Sequence, residues 1–155
     1  MDSDVLRDAE QLIVHLRHIR IDVEGYARRC LAKLGSNLSQ YAVLAILDEQ
    51  GEMTMGGLAR HLGTTMGAVT NLVDKLVNAG RADRVRSEED RRVVRVSILP
   101  PGRELVARVT RDTAEFLAGY LAVIPPEHRR IANDVCGRLV DAMRPGTAGS
   151  GRVSV

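Results

Sequence analysis

The chain has 155 residues, of which 45% are hydrophobic and only 3% aromatic, with no Trp and one Phe. This length predicts one domain, or one domain with an added dimerisation region, and the aliphatic composition favours a core of packed helices. The net charge of +2 is too small to identify a nucleic-acid-binding protein by itself. Residues 51–99 nevertheless hold 8 basic against 6 acidic side chains, whereas residues 1–50 hold 6 against 8.

The sequence lacks the signals of membrane proteins and of enzymes. No apolar run approaches the ~20 residues that cross a bilayer, and the acidic first segment does not resemble a signal peptide. We therefore expect a cytoplasmic protein with no membrane partner. A Gly-rich phosphate loop, a His-Glu-x-x-His motif and a nucleophile elbow are all missing, so we expect no catalytic residues, no cofactor and no metal site.

A long helix with a narrow apolar stripe is predicted at the start of the chain. Apolar residues recur in alternating steps of four and three from Val5 to Cys30, a period that is typical of a helix facing a partner helix. Gly35-Ser36-Asn37 ends this helix. Because so long a helix cannot bury its stripe against a small domain, we expect a helix of this chain or of a second copy to cover it.

A second helix is predicted from Gln40 to about Glu49, with Ser39 as its N-cap. A polar segment, Glu52-Met53-Thr54, follows it. The next helix spans Gly57–Leu62 (GLARHL) and is ended by Gly63.

A further helix is predicted from Met66 to about Ala79, capped by Thr64 or Thr65 and followed by Gly80 as the left-handed residue. Its inward side chains are Val69, Leu72, Val73 and Leu76. Two helices joined by a tight turn that contains glycine are typical of a helix-turn-helix, whose second helix enters the DNA major groove.

After this helix the apolar spacing becomes alternating, which predicts a β-hairpin with arms at residues 81–86 and 91–99. Val94, Val96 and Ile98 share one face of its second arm. A hairpin directly after a helix-turn-helix predicts a winged helix-turn-helix, and we expect the fold class to be mainly α with this small wing.

Two long helices complete the predicted fold, and the first begins at Pro100-Pro101-Gly102 with Leu105, Val109, Phe116, Tyr120 and Ile124 in line. Pro125-Pro126 interrupts them, and the last helix runs from about Glu127 to Met143. The expected domains are a helical dimerisation region (1–36 and 101–144), a DNA-binding domain (37–100) and a flexible tail (145–155).

The exposed half of the second helix carries the predicted base contacts. Asn71 is the best candidate for base readout, because Asn pairs bidentately with adenine. In the wing, Asp90 can hold Arg92 extended, and a narrow minor groove attracts such an Arg. Taken alone, the helix can also be an ordinary amphipathic helix and the hairpin a solvated loop of mixed charge. The predicted DNA-binding residues are Ser39, Thr64, Thr65, Met66, Gly67, Ala68, Thr70, Asn71, Lys75, Arg84, Arg86, Asp90, Arg91 and Arg92.

The run LARHLGTTMGAVTNLVDKLVNAGRADRVRSEEDRRVVRVSILPPGREL resembles the core of the MarR family of bacterial transcriptional regulators. The flanking long helices extend this resemblance over residues 5–144. The resemblance implies a homodimer on double-stranded DNA with a pseudo-palindromic operator, usually a repressor released by a small molecule. It also implies that Arg92 enters the minor groove and that Thr65 to Lys75 face the major groove.

Two positions depart from the family pattern. Family members usually carry a basic residue where Asn71 stands and an apolar one, typically Leu, where Arg81 stands. The predicted reading helix is therefore less basic than usual, and we expect the affinity for DNA to depend more on the wing.

The resemblance further implies an effector cavity between the first helix and the DNA-binding lobe, with a phenolic or aromatic effector. Alternatives are redox sensing through Cys30 or Cys136, metal sensing through His15 and His18, and non-specific architectural DNA binding. We expect both cysteines to be structural. The candidate ligand-binding residues are His18, Asp22, Tyr26, Arg28 and Tyr41.

Overall fold

A computed structural model describes residues 3–86 and 94–143, which form helices and one small sheet. The chain divides into two compact units, residues 1–116 and 117–155. The elements in chain order are α1 (Ser3–Lys33), α2 (Leu38–Gln50), β1 (Met53–Thr54), α3 (Met55–Leu62), α4 (Met66–Asn78), β2 (Ala82–Arg86), β3 (Val94–Ile98), α5 (Pro100–Leu121) and α6 (Pro126–Met143). The predicted fold class, a mainly α winged helix-turn-helix, is confirmed.

The hydrophobic core of the first unit lies where the last turns of α1 meet helices α2, α3 and α4, the sheet and the first half of α5. Helices α1 to α4 and the sheet contribute side chains with no exposed surface, α5 contributes the buried Leu105, Val106 and Val109, and all of these side chains are aliphatic. This agrees with the helix-packing core that the composition predicts. The completely buried side chains are Leu31, Val43, Leu44, Leu47, Leu58, Val69, Val73, Leu76 and Val96.

Helix α1 is as long as its apolar stripe predicts, but only its C-terminal part packs on the core. Ala27 and Leu31 are buried, whereas Val5 and Leu16 remain 58% and 47% exposed. The predicted need for a partner helix therefore concerns the N-terminal two thirds of α1.

The start of α2 corrects one prediction. Asn37, not Ser39, is the N-cap: its Oδ1 accepts a hydrogen bond from the Gln40 backbone N–H at 3.0 Å. Ser39 is an exposed residue inside the helix. The prediction of Ser39 is wrong because the tight turn at Gly35 leaves Asn37 in the extended conformation that an N-cap requires, and Ser39 is already inside the helix.

The polar segment before α3 contains a short strand that the sequence analysis does not predict. Met53 and Thr54 form strand β1, which pairs with Val96 and Arg95 of β3. The Thr54 hydroxyl then accepts the Gly57 N–H at 3.0 Å, so that α3 begins at Met55, two residues earlier than predicted.

The sheet is antiparallel in the order β1-β3-β2, with the predicted hairpin as β2 and β3. In β3 the side chains of Val96 and Ile98 are buried and Val94 is half-buried, which confirms their common face. The predicted arms are residues 81–86 and 91–99, but Arg81 and Leu99 lie outside β2 and β3; residues 91–93 lie outside the described part of the chain.

Helix α5 begins at Pro100 as predicted and is joined to α2 by polar contacts. The Arg103 guanidinium pairs with Asp48 at 2.6 Å, and the hydroxyls of Tyr41 and Thr110 lie 3.2 Å apart. The helix ends at Leu121, so the prediction that Ile124 belongs to it is wrong.

The second unit contains α6, whose bounds agree with the prediction within one residue. Every apolar side chain of its stripe is exposed: Ile131, Val135, Leu139 and Met143. Within the described residues, no helix is long and apolar enough to cross a membrane. The predicted tail, 145–155, lies outside the described part of the chain.

The N-cap assignment gives a stability test. Asn37→Ala removes the only side-chain acceptor shown for the Gln40 N–H among the described residues, so we expect it to lower the free energy of unfolding by about 1 kcal/mol. Ser39→Ala is the matched control and should change it by less than about 0.5 kcal/mol. Urea unfolding at one fixed protein concentration measures both, and equal effects of the two substitutions would contradict the assignment.

Candidate nucleic-acid interface

The helix-turn-helix consists of α3, the turn Gly63-Thr64-Thr65 and α4. Gly63 adopts the left-handed conformation (φ 60°), and the Thr64 N–H donates to Ala59 O at 3.0 Å, which closes the end of α3. The Thr65 hydroxyl then accepts the Ala68 N–H at 3.3 Å and caps α4. Of the two predicted caps, Thr65 is the one the structure shows.

The two faces of α4 differ completely in burial. Val69, Val73 and Leu76 have no exposed surface, and Leu72 is half-buried. The opposite face is open, since Met66 is 51% exposed. The predicted contact residues on this open face are Thr65, Met66, Gly67, Thr70, Asn71 and Lys75, all exposed, and Ala68, which is half-buried.

The polar groups of the open face are only partly available to a ligand. The Thr70 hydroxyl donates to Met66 O at 2.8 Å, so it can offer DNA an acceptor but not its proton. Lys75 is the only basic residue of α4 and Asp74 its only acidic one. The exposed helix face therefore carries little net charge.

Arg84 occupies a position that the sequence did not predict. Its Nη2 lies 2.6 Å from Asp74 Oδ1, so the guanidinium joins strand β2 of the wing to α4. About a third of the Arg84 side chain stays exposed. Asp74 of α4 thus holds the base of the wing against this helix.

Arg95 is held in a similar way on β3, with its Nε 3.6 Å from Glu52. Both described arginine side chains of the hairpin strands therefore face a carboxylate of the protein. Of Arg86 only the backbone is described, and Asp90, Arg91 and Arg92 lie outside the described residues.

Two surface grooves are each lined by two of the predicted DNA-binding residues. A cavity of about 340 Å³ between α2, α3 and α4 is lined by both Ser39 and Thr64. Another, of about 440 Å³, is lined by Thr70 and Arg84. The structure thus brings Ser39, which is distant in sequence, next to the helix-turn-helix.

Comparison with known proteins decides the family. The family model of the MarR family matches residues 37–94. The HTH-type transcriptional regulator YsmB of Bacillus subtilis is 30% identical over 117 residues, which cover 76% of this chain and 80% of YsmB. The chain belongs to the MarR family. It is a DNA-binding transcriptional regulator, and the prediction that it is not an enzyme is confirmed by this membership.

Two further comparisons agree with the assignment to the MarR family. The HTH-type transcriptional regulator Mb0904 of Mycobacterium bovis is 35% identical over 108 residues, which cover 68% of this chain and 76% of Mb0904. The structure of a MarR family protein from Bacillus stearothermophilus superposes with a TM-score of 0.79 at 26% identity, covering 92% of this chain and 98% of that one.

The predicted effector residues of this MarR-family protein are not gathered in one of the cavities described above. His18 and Asp22 are exposed, and Arg28 faces Glu24 of its own helix at 3.7 Å. Tyr26 stacks on Phe116 with ring centroids 4.4 Å apart. Tyr26 thereby joins α1 to α5, as Tyr41 joins α2 to α5.

The two cysteines differ in surroundings. Cys30 is half-buried one turn after Tyr26, and Cys136 is exposed. Burial of the phenol, followed by its contact with Cys30, raises the pKa of Tyr26 above its ordinary value.

Groups of three or more metal-binding side chains are not found among the residues that the structure describes.

Proposed function

We propose that this MarR-family regulator binds a pseudo-palindromic DNA operator as a homodimer and acts as a repressor that a small phenolic or aromatic effector releases. The observation that carries the proposal is the uncovered apolar stripe of α1. Two DNA-binding domains, called reading heads below (residues 37–100 of each chain), must be held at a fixed separation to bind two half-sites. The apolar stripe of α1 is the surface that can join two chains for this purpose.

The apolar side chains of α1 require a partner in water. Val5, Leu12, Leu16 and Ile19 lie on one face of the helix and are between 40% and 58% exposed. Contiguous apolar patches of this extent mark protein interfaces in soluble proteins. A parallel argument applies to α6 in the second unit, whose stripe is exposed from Ile131 to Met143.

This reasoning supports the predicted division of labour along the chain. Residues 1–36 and 101–144 are assigned to dimerisation and residues 37–100 to DNA binding. Helix α1 joins the two roles, because its first two thirds are uncovered while Leu31 at its end is part of the core of the DNA-binding domain.

Sequence-specific binding is favoured over architectural coating of DNA by the charge of the interface. Non-specific binding depends on neutralising many phosphates with Lys and Arg. Helix α4 carries a single Lys, and Arg84 already faces Asp74 at 2.6 Å. Small and polar side chains such as Asn71 suit contacts with base edges instead.

The repressor assignment follows a relative. The HTH-type transcriptional repressor IacR of Pseudomonas putida is 30% identical over 88 residues, 57% of this chain and 53% of IacR. The effector class is taken from the family resemblance, and His18, Asp22, Tyr26, Arg28 and Tyr41 remain its predicted contacts.

Footprinting of operator DNA tests the function as a whole. A short protected palindrome, lost on addition of a phenolic compound such as salicylate or 4-hydroxybenzoate, is the expected result. Diffuse protection supports the architectural alternative, and release by peroxide that Cys30→Ser abolishes supports the redox alternative.

The dimer has its own test. Leu16→Glu places a charge in the apolar stripe of α1, so we expect a mixture of monomer and dimer, or monomer alone, by light scattering after gel filtration. Gln11→Glu is the control, because it adds the same charge about 140° away around the helix and should stay dimeric. A Leu16→Glu protein with the same dissociation constant as the parent would exclude α1 from the interface.

The wing is tested through Arg92, which the resemblance places in the minor groove. Arg92→Ala should weaken operator binding at least about tenfold while the dimer stays intact. Arg7→Ala removes the same charge from α1 at a position about 160° around the helix from Val5 of the apolar stripe, so it should leave both the dimer and the affinity unchanged. Near-parent affinity of a folded Arg92→Ala dimer contradicts the minor-groove assignment.

Base readout is tested through Asn71, which lies exposed on α4. Asn71→Ala should lose discrimination at one base position of each half-site, worth about 1–3 kcal/mol. Binding-site selection from random DNA measures this for both proteins. An identical selected motif would falsify the base contact.

A further inference from the structure

Arg81 is the residue where α1, α4, the wing and α5 meet. It follows the left-handed Gly80 and directly precedes β2. Its Nη2 donates to Leu34 O at 2.6 Å and its Nη1 to Gly35 O at 3.2 Å. Both acceptors are carbonyls just beyond the last residue of α1, where the helix itself leaves them without a donor.

The backbone of Arg81 is fixed as firmly as its side chain. Its N–H donates to Leu76 O of α4 at 2.9 Å, and its carbonyl accepts the Leu99 N–H at 3.0 Å. That carbonyl also lies against Gly102 at the start of α5, where a Cβ atom would collide with it. The guanidinium therefore transmits the position of α4 and the wing to the end of α1.

The other contacts of α1 with the helix-turn-helix are less directional. Ala27 and Leu31 pack on the core through apolar surface, and such burial depends on area rather than on direction. The Tyr26–Phe116 stack joins α1 to α5 and not to α4. A planar guanidinium bound to two carbonyls, by contrast, fixes both distance and angle.

We propose that Arg81 is a positioning residue that sets the angle of each reading head on α1, and thereby the half-site spacing that the dimer accepts. The inference rests on the proposed dimer, since the spacing of two heads has no meaning for one. Arg81 acts here through α4 and makes no DNA contact itself, because its guanidinium is half-buried and occupied by Leu34 and Gly35.

Loss of the Arg81 contacts is expected to change the orientation of each reading head on α1 without detaching the head from α1. Loss of the clamp leaves the apolar contacts of Ala27 and Leu31 in place, so each head stays attached to α1 but can adopt a range of angles. A flexible pair of heads accepts operators of several spacings, whereas a rigid pair accepts one. Leu is the residue that the family resemblance gives at this position, which makes Arg81→Leu a substitution that the fold accommodates.

The experiment uses the palindrome that the full-length protein selects from random DNA, with the central spacer lengthened or shortened by one base pair. Each such change rotates one half-site by about 35° relative to the other. The parent protein should lose at least about tenfold in affinity for either altered operator, and Arg81→Leu less than about threefold. Both should select the same bases within each half-site.

Arg108→Leu is the matched control. Arg108 lines the same cavity of about 350 Å³ as Arg81, but its guanidinium pairs with Asp112 of its own helix, at 4.0 Å. Its spacing profile should equal that of the parent. Where Arg81→Leu does not form a folded dimer, Arg81→Lys replaces it: its ammonium lacks the two-pronged geometry, so we expect an intermediate spacing penalty.

The outcomes are distinct. An unchanged spacing penalty in Arg81→Leu, or in Arg81→Lys where that variant is used, overturns the assignment, even when affinity falls equally at every spacing. A broadened profile in Arg108→Leu overturns it as well, because loss of any arginine at this cavity would then have the same effect. A parent protein that protects no palindrome contradicts the proposed function itself and removes this inference with it.

Discussion

The packing of one face of α4 is the constraint on which the rest of the structure depends. Val69, Val73 and Leu76 are completely buried, and burial of each such side chain contributes about 1.5–3 kcal/mol. Because these residues recur every three or four positions, their burial fixes the rotation of α4 about its axis. The opposite face, with Asn71 and Thr70, is thereby held toward solvent, as the proposed contacts with DNA require.

The electrostatics of the head follow from the same packing. With α4 fixed, Asp74 meets Arg84 of the wing, and Glu52 meets Arg95 on the neighbouring strand. These exposed ion pairs add little to the stability of the fold, but they orient strands β2 and β3, which form the wing. The two hairpin-strand arginines whose side chains are described, Arg84 and Arg95, are thus paired with carboxylates of the protein itself.

Much of this fold is predictable from the sequence because its signals are local. Helical periodicity, Gly63 and the alternation of Val94, Val96 and Ile98 give the helices, the turn and the hairpin. The predictions that fail also have physical reasons. Ser39 and Asn37 are equivalent as caps until the turn at Gly35 sets their backbone conformations. Contacts between residues far apart in sequence, such as Arg81 with Leu34, leave no periodic signal that a single sequence can reveal.

Helix α1 has a consequence for the abundance of the regulator in the cell. Its first two thirds lack a covering partner within the described unit, so in the proposed dimer they gain one only by association. Folding and association are then linked by mass action, and the folded fraction rises with total concentration. Newly made chains at low copy number expose the stripe to proteases and chaperones for longer. In such a dimer the concentration of folded, paired regulator therefore falls faster than the total concentration of the chain.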